Sequence, residues 1–520
     1  MANRFEALEM SAGKVKPIGL GPFNQDCTAN SKFALIALFL GVSLIQLAFL
    51  KPGIWGVDGN DMLHMSQSLI TKGNFTVPEG SGGVLGHDGQ YYSIRYPMLP
   101  IVAVPFVAVG MAIGNLLNLP VQYTSATCAL VLNILLTAAT AVLVYLLTLQ
   151  LGGQRRGAFW AAIGFSFGTT ALVYAREFFA EPLLSFIFTL ALYWAFMSSR
   201  RAHVGASILA ALAIVTKPAG ILLGPVLSLY FLIRREAWWR VCAPCIGSGV
   251  GTGLYLLYNY VRFGAWTSSG QDASQFGFDG FVMRALGQLI SPGAGGGLFW
   301  YCPPTLLALV GLWVLWRRQK PEFVAVFGLI ASFWLLHSGW AFNGWNWGPR
   351  FLVPTIPATM VTVGLLGKRW RKSLIGLIIL GFIVNAPTLV AFYQRYYAEV
   401  ADLSTEQLMQ TLSLWSDPVQ APLFNVWGAT FRQLHDAFTT PIAEILSGAG
   451  VPPLPGELAS AELLRIVAVW WWFLPAAGLP IWFGLAIAAF LIATGVCLLY
   501  RCWKRSWRGY LHSSKIGQPG

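Results

Sequence analysis

The sequence predicts an all-α protein, a polytopic bundle of transmembrane helices with juxtamembrane helices in its first extracytoplasmic loop. Of its 520 residues, 56% are hydrophobic and only 11% are charged, and the mean hydropathy is +0.61. Soluble globular domains carry more charge than this. Apolar runs of roughly 18 to 20 residues, the length that crosses a bilayer as a helix, recur between residues 32 and 500. A membrane barrel would instead show short alternating strands.

The basic residues lie in short clusters between the apolar runs, where the positive-inside rule predicts cytoplasmic loops. With the N-terminus inside as well, these clusters predict about twelve spans. The net charge of +13 therefore reflects topology and does not indicate a nucleic-acid partner. The predicted spans are 32–50, 122–149, 158–174, 180–198, 204–216, 219–233, 241–259, 299–316, 322–341, 351–367, 373–393 and 476–500.

The stretch 98–118, "MLPIVAVPFVAVGMAIGNLLN", is also long enough to cross. If it crossed, most later basic clusters would move to the outside. We therefore interpret it as a juxtamembrane or re-entrant helix, loosened by Pro100 and Pro105 and buried against other helices.

Three regions follow from this topology. Residues 1–393 form the transmembrane module, with a long first extracytoplasmic loop at 51–121. Residues 394–475 form an extracytoplasmic segment of amphipathic helices, and 476–520 hold the last span and a basic cytoplasmic tail. In the middle region a helix is predicted from the apolar spacing of Leu423, Trp427, Phe431, Leu434 and Phe438, and Ser404 with Gln407 matches a capping box.

Isolated charged residues collect on the extracytoplasmic side, where they have no use in setting topology. The acids include Asp58, Asp61 and Glu181. A phosphate or carboxylate partner is one explanation for the isolated bases, and a snorkelling or salt-bridged side chain is the other. These bases are Arg95, Arg176, Lys217, Arg262, Arg284 and Arg350.

Acids that face bases at a membrane surface suit the transfer of a group from a lipid phosphate. A phosphate leaving group needs cations to stabilise its charge, but it needs no general acid. The attacking hydroxyl must lose its proton, which calls for one carboxylate near the reacting carbon. Asp58, in "WGVDGNDMLH" behind the first span, stands where the head group of a lipid-borne donor would lie.

At this point the chain resembles the C-type integral-membrane glycosyltransferases, which include the protein O-mannosyltransferases and the lipid A aminoarabinose transferases. In that family an acid after the first span begins a helix that ends some fifteen residues later, as Asp58 precedes Gly73 here. The resemblance covers about residues 30 to 360. Its motifs are "GNFTVP" (Gly73–Pro78), "IRYPML" (with Arg95), "AREFFAE" (Ala175–Glu181), "TKPAG" (Thr216–Gly220) and "GPRFLVPTIP" (Gly348–Pro357).

The resemblance implies roles for the acids. Asp58 is the expected general base, and its alternative is a helix cap. Glu181 is expected to support the base or bind the acceptor, or else to pair with Arg176. The usual second acid is replaced by Gly59, so Asp61 is expected to take its role. Asp61 and His64 lie one helical turn apart and could orient the base, bind the acceptor or hold a divalent ion; a solvated helix face is the alternative.

The bases complete the expected site. Arg95, Arg176, Lys217 and Arg350 are the expected phosphate clamps, with Arg262 and Arg284 as further candidates in the loop 260–298. No cofactor is implied, apart from the possible divalent metal.

The sequence therefore predicts an inverting glycosyltransferase of the bacterial inner membrane. It would move a sugar from a polyprenyl-phosphate donor to a hydroxyl of a glycolipid, polysaccharide or protein on the extracytoplasmic face. Two alternatives remain: a transporter or flippase for a lipid-linked or anionic solute, and a non-catalytic lipid-binding subunit.

Overall fold

A computed structural model describes residues 29–197, 199–271, 273–293, 295–340, 346–393, 421–439 and 467–513. Helices dominate this part of the chain. The first half contains α1 (Ala29–Ala48), α2 (Val57–Thr71), the strands β1 (Gly83–Leu85) and β2 (Tyr91–Ser93), α3 (Met98–Leu117), α4 (Val121–Gln150), α5 (Arg155–Phe167), α6 (Ala171–Tyr174), α7 (Glu181–Ala195), α8 (Arg200–Thr216), α9 (Leu223–Ile233) and α10 (Trp238–Phe263).

The second half is also helical, and several of its helices begin with a short 3-10 turn. One such turn, Arg350–Thr355, leads into α15. The helices are α11 (Phe281–Ile290), α12 (Leu298–Tyr301), α13 (Ala308–Arg318), α14 (Lys320–Ser338), α15 (Ile356–Gly364), α16 (Arg371–Asn385), α17 (Pro387–Val390), α18 (Pro422–Thr439) and α19 (Ile481–Ser513). The all-α prediction is confirmed.

Five helices of the described residues are long and apolar enough to cross a membrane: α3, α4, α10, α14 and α19 up to Arg505. A sixth candidate is the pair Arg350–Gly364 and Lys368–Asn385, which is bent by 119°. Four further apolar helices are shorter, among them Lys32–Ala48 and Glu181–Ala195. The expected count of twelve spans is therefore not confirmed, because several predicted spans are short or broken helices.

Helix α4 runs through the centre of the bundle, against α1, α3, α5, α7 and α15. Its packing faces are rich in small residues such as Ala126, Ala129, Ala138 and Ala141, all fully buried. Small side chains let helix backbones approach closely where lipid supplies no hydrophobic driving force. Gly157 of α5 shows the limit of this packing, because a Cβ there would collide with the carbonyl oxygen of Gly364.

Helix α3 lies beside the first half of α4. A Cβ on Gly110 would lie 2.5 Å from the backbone of Ser125, so the two helices pack closely next to the turn that joins them. Further along α4, Asn133 donates to the carbonyl of Glu177 at 2.6 Å. Helix α3 has the length and composition of a span, and the juxtamembrane interpretation remains a prediction.

Helix α18 follows the predicted spacing in the middle region. Of the predicted apolar stripe, Trp427, Phe431 and Phe438 are exposed, whereas Leu423 and Leu434 pack against the hydrophobic core clusters. The predicted stripe is thus divided between the protein and the exposed surface, and the position of this helix on the membrane face remains a prediction. Ser404 and Gln407 fall outside the described residues.

The first and last long helices pack against each other. A Cβ on Gly41 of α1 would lie 2.7 Å from Leu499 of α19, and one on Gly495 would lie 2.7 Å from Ile45. These two glycines let the helices touch along their backbones. The segment that precedes α19 is joined to the same end of α1, because the indoles of Trp470 and Trp471 donate to carbonyls of α1, at Leu47 and Ala48.

Candidate active site

Asp58 lies in the first turn of α2 and faces two arginines. One carboxylate oxygen is 2.5 Å from Arg95 Nη2, and the other accepts a hydrogen bond of 2.8 Å from Arg350 Nη1. The N-cap of this helix is Gly56, and no side chain caps it. The carboxylate of Asp58 is therefore engaged in ion pairs, and the helix-cap alternative does not describe it.

Glu181 is the first residue of α7, and Pro182 follows it in the first turn, where a proline costs no helical hydrogen bond. Its Oε1 accepts from Lys217 Nζ at 2.9 Å and from Arg350 Nε at 3.0 Å. Arg350 thus bridges the two acids. Burial leaves Oε2 of Glu181 with no partner among the described residues.

We call Asp58, Arg95, Glu181, Lys217 and Arg350 the charged cluster. Its members come from five separate segments of the chain. Asp58 is in α2, Arg95 follows β2, Glu181 begins α7, Lys217 follows α8, and Arg350 begins the 3-10 turn before α15. Two carboxylates face three cations, so the formal charge of the cluster is +1. A cluster with an excess of cations is suited to an anionic ligand.

The charged cluster has an open edge and a closed end. The side chains of Asp58 and Arg95 are 22% and 24% exposed, whereas those of Arg350, Lys217 and Glu181 are 12%, 10% and 1% exposed. Aromatic rings cover the closed end: the Arg350 guanidinium carbon lies 3.7 Å from the Phe179 ring centroid and Lys217 Nζ lies 4.3 Å from that of Phe351. A ligand can therefore reach Asp58 and Arg95 first.

The pKa values of two acids in α2 are shifted in opposite directions. Burial alone would raise the pKa of Asp58, but Arg95 and Arg350 outweigh it and lower the pKa to about 2. Burial also raises the pKa of Asp61, to about 6, because Arg95 offsets only part of the desolvation. Asp58 is thus ionised throughout the physiological range, whereas Asp61 titrates near its lower limit.

Asp61 holds the strand that leads to Arg95. Ser93 Oγ donates to Asp61 Oδ2 at 3.2 Å, and the same Oγ accepts from the backbone N–H of Arg95 at 3.0 Å. Strand β2 pairs with β1 in an antiparallel hairpin, in which Ser93 stands opposite Gly83. Because Asp61 is buried, the solvated-face alternative does not apply to it.

His64 is also buried in α2, and its Nδ1 has no hydrogen-bond partner among the described residues. No group of three His, Cys, Asp or Glu side chains suited to a metal ion occurs in the described part of the chain. Asp61 and His64 therefore lack a third protein ligand there. The divalent site remains a prediction.

Arg176 is fully buried and tied to the backbone. Its Nε donates to the carbonyl of Phe49, Nη1 to that of Thr388 at 2.9 Å, and Nη2 to those of Leu389 and Ala468 at 2.9 and 3.1 Å. Each guanidinium nitrogen thus joins a distant segment to the turn before Glu181. These contacts favour a structural role over the expected phosphate clamp, and Glu181 pairs with Lys217 and Arg350 in place of Arg176.

Arg262 and Arg284 also donate to protein groups. Arg262 Nη1 donates to the carbonyl of Ser93 and Nη2 to Asn259 Oδ1 at 2.8 Å. Arg262 therefore anchors the end of β2 to α10. Arg284 Nε donates to the carbonyl of Ser338 at 2.8 Å and fixes α11 against the end of α14. Neither arginine contributes an ion pair to the charged cluster.

Lys51 and Glu177 form a buried ion pair that the sequence reasoning did not select. Lys51 Nζ also lies 5.1 Å from the ring centroid of Phe392. The available signal was the position of Lys51 as the first charge after the first apolar run, on the side where the positive-inside rule expects few bases.

No family model matches the sequence, and no curated protein does. Among solved structures the chain is similar to ArnT from Cupriavidus metallidurans, a lipid A aminoarabinose transferase, with 17% identity and a TM-score of 0.48 over 92% of this chain and 76% of that one. ArnT bound to undecaprenyl phosphate gives 18% identity and a TM-score of 0.43 over 90% and 77% of the two chains.

The Archaeoglobus fulgidus oligosaccharyltransferase in its apo form is similar at 12% identity and a TM-score of 0.45, over 83% of this chain and 61% of that one. These enzymes belong to the class that the sequence motifs resemble.

Proposed function

We propose that the protein is a glycosyltransferase that takes a sugar from a polyprenyl-phosphate donor and gives it to a hydroxyl group at the extracytoplasmic face of the membrane. The observation that carries the proposal is the pairing of Asp58 with Arg95 and Arg350 at the open edge of the charged cluster. One carboxylate in contact with two guanidinium groups, with Asp58 and Arg95 at the open edge, provides both a base and a phosphate clamp.

Binding of the donor would change the partners of Asp58. A phosphate accepts two N–H groups from a guanidinium as well as a carboxylate does, so it would compete with Asp58 for Arg95 and Arg350. The loss of these two partners would raise the pKa of Asp58 from about 2. Donor binding and activation of the base would then be coupled.

The reaction is a direct displacement. Asp58 takes the proton of the acceptor hydroxyl while the acceptor oxygen bonds to the anomeric carbon. The bond from that carbon to the phosphate oxygen breaks, and its electron pair leaves with the polyprenyl phosphate. Arg95, Arg350 and Lys217 stabilise the charge on this leaving group. One displacement inverts the anomeric carbon.

The remaining cluster residues would hold this machinery in place. Glu181 orients Lys217 and Arg350 through a single oxygen. Asp61 takes the place of the family's second acid by fixing Ser93 and thus the backbone of Arg95. The acceptor is a glycan, lipid or protein hydroxyl, membrane lipids surround the bundle, and nucleic acid has no role. A bacterial inner membrane, with the cluster facing the periplasm, is the proposed location.

Purified protein with a panel of polyprenyl-phosphate sugars and hydroxyl acceptors tests the proposal. We expect mass spectrometry to detect a glycosidic product and free polyprenyl phosphate with at least one donor, and Asp58→Asn to abolish both. Movement of a lipid-linked solute across sealed vesicles without a product would support the transporter. Donor binding with neither product nor movement would support the non-catalytic subunit.

A further inference from the structure

A histidine that the proposed mechanism does not use lies next to the closed end of the charged cluster. His337 is in the last turn of α14 and is 7% exposed. Its ring stacks on Phe351, with 5.1 Å between centroids and 23° between planes. Lys217 Nζ lies 4.3 Å from the same Phe351 ring. His337 and the charged cluster thus contact the same aromatic ring.

The hydrogen bond of His337 defines its tautomer. Nδ1 lies 2.9 Å from the carbonyl oxygen of Phe333, which can only accept, so Nδ1 carries a hydrogen. A second hydrogen on Nε2 would place a cation beside Lys217 and between the rings of Phe333 and Phe351, an unfavourable position for a charge. Nε2 is therefore an acceptor, and it has no hydrogen-bond partner among the described residues.

An acceptor nitrogen distinguishes between the parts of the donor. A phosphate oxygen offers it no hydrogen, so a neutral His337 cannot serve as a phosphate clamp. A sugar hydroxyl can donate to it. The enclosed end of the cluster also suits the sugar, because the acceptor molecule must approach Asp58 at the open edge.

We propose that His337 Nε2 accepts a hydrogen bond from one hydroxyl of the transferred sugar, and that the Phe351–His337 pair forms one wall of the sugar site. His337 is thus a specificity-determining residue. This inference rests on the proposed function, and it adds that the site recognises a hydroxylated sugar on the Lys217 side of the cluster.

Two substitutions separate this role from a packing role. Asn keeps a donor near the position of Nδ1 but removes Nε2, whereas Gln places an amide near the position of Nε2. With the best donor, His337→Asn is expected to raise KM about tenfold to a hundredfold with a smaller change in kcat, and His337→Gln to restore part of the loss. His435→Asn, on the exposed surface of α18, is the matched control and should change neither constant.

Monodeoxy versions of the same donor identify the hydroxyl. One of them should raise the KM of the wild-type protein about as much as His337→Asn does, and the variant should then add little to that loss. Additive losses with every deoxy donor would overturn the proposal.

A second measurement does not depend on turnover, so it stays informative if the proposed function fails. In protein labelled with ¹⁵N-histidine, the Nε2 signal missing from His337→Gln belongs to His337. We expect this nitrogen to carry no hydrogen, and its signal to shift with polyprenyl-phosphate sugar but not with polyprenyl phosphate alone. An equal shift with both lipids, or a protonated Nε2 in the free protein, would overturn the assignment.

Discussion

Arg350 Nη1 lies 2.8 Å from Asp58 Oδ2, although the two residues are 292 positions apart in the chain. The same guanidinium donates through Nε to Glu181. A carboxylate that is held by two cations is ionised but weakly basic. In the proposed mechanism, these ion pairs would keep Asp58 from acting as a base until an anion occupies Arg95 and Arg350.

Asp58→Asn is expected to abolish glycosyl transfer, by about a hundredfold to ten thousandfold, because loss of the base removes proton abstraction. Donor affinity should stay the same or increase, since Arg95 and Arg350 no longer have a competing carboxylate. Product formation and binding of a polyprenyl-phosphate sugar measure the two effects separately. Full turnover in the variant would assign the base to another group, with Asp61 the first candidate.

Arg350→Lys should weaken donor binding even though the charge is kept, because an ammonium group cannot bridge two acids with the geometry of a guanidinium. Arg350→Ala should weaken it further and also destabilise the protein, since it removes one partner of the buried Glu181. Calorimetric titration with polyprenyl phosphate measures the affinity.

Lys217→Ala tests the same clamp from its closed end. Donor affinity should fall while acceptor KM changes little. Arg284→Lys serves as the control, because Arg284 donates to backbone carbonyls away from the cluster. Unchanged donor affinity in both the Arg350 and Lys217 variants would remove them from the clamp.

Asp61→Asn should change how stability depends on pH. The folded-state pKa is raised from 3.8 to about 6, so the folded protein retains this proton while the unfolded chain releases it. The wild-type protein should therefore lose stability relative to Asp61→Asn as pH rises from about 4 to about 6, with no further change above that range. Thermal unfolding in detergent across this range measures the difference. A difference that stays constant with pH would contradict the buried environment of Asp61.

Arg176→Ala is expected to lower the free energy of unfolding by about 3 kcal/mol, because several buried carbonyl groups lose their donor together. Arg176→Lys should be intermediate. Donor affinity of the protein that remains folded should change little, in contrast to Arg350→Lys. A large affinity loss with normal stability would return Arg176 to the phosphate clamp.

Helix α3 gives a direct test of topology. If it does not cross the membrane, cysteines placed at His87 and Asn118 should both react with an impermeant maleimide added outside intact cells. A cysteine at Arg235, in a predicted cytoplasmic loop, should react only after the membrane is opened. Labelling is measured above that of the native cysteines. Protection of Asn118→Cys alone would indicate a crossing.

The sequence was most informative about features that a single physical requirement determines. The helical class follows from apolar length, and α2 runs from Val57 to Thr71 as the spacing of Asp58 and Gly73 implied. All five residues of the charged cluster are also site candidates from the sequence. An isolated charge at the end of a span needs a partner, and these residues pair with one another: Asp58, Arg95, Glu181, Lys217 and Arg350.

Other features depend on contacts that no local pattern specifies. Arg176 has the same isolated position as Arg350, yet its donors reach carbonyl groups, which every residue possesses and which the sequence therefore cannot mark. His337 lies within an apolar run, and only the stacking on Phe351 places it beside Lys217. The count of twelve spans is not confirmed, because helices such as Glu181–Ala195 are shorter than a bilayer is thick.

The carbonyl partners of Arg176 have a consequence for biosynthesis. They lie 127, 212, 213 and 292 positions from it, the last at Ala468. A ribosome makes the chain from its N-terminus, so the Arg176 guanidinium has its full set of acceptors only after almost the whole polypeptide has been synthesised. A truncated translation product that ends before Thr388 should therefore keep the contact of Arg176 with Phe49 but lack the acceptors of both Nη atoms.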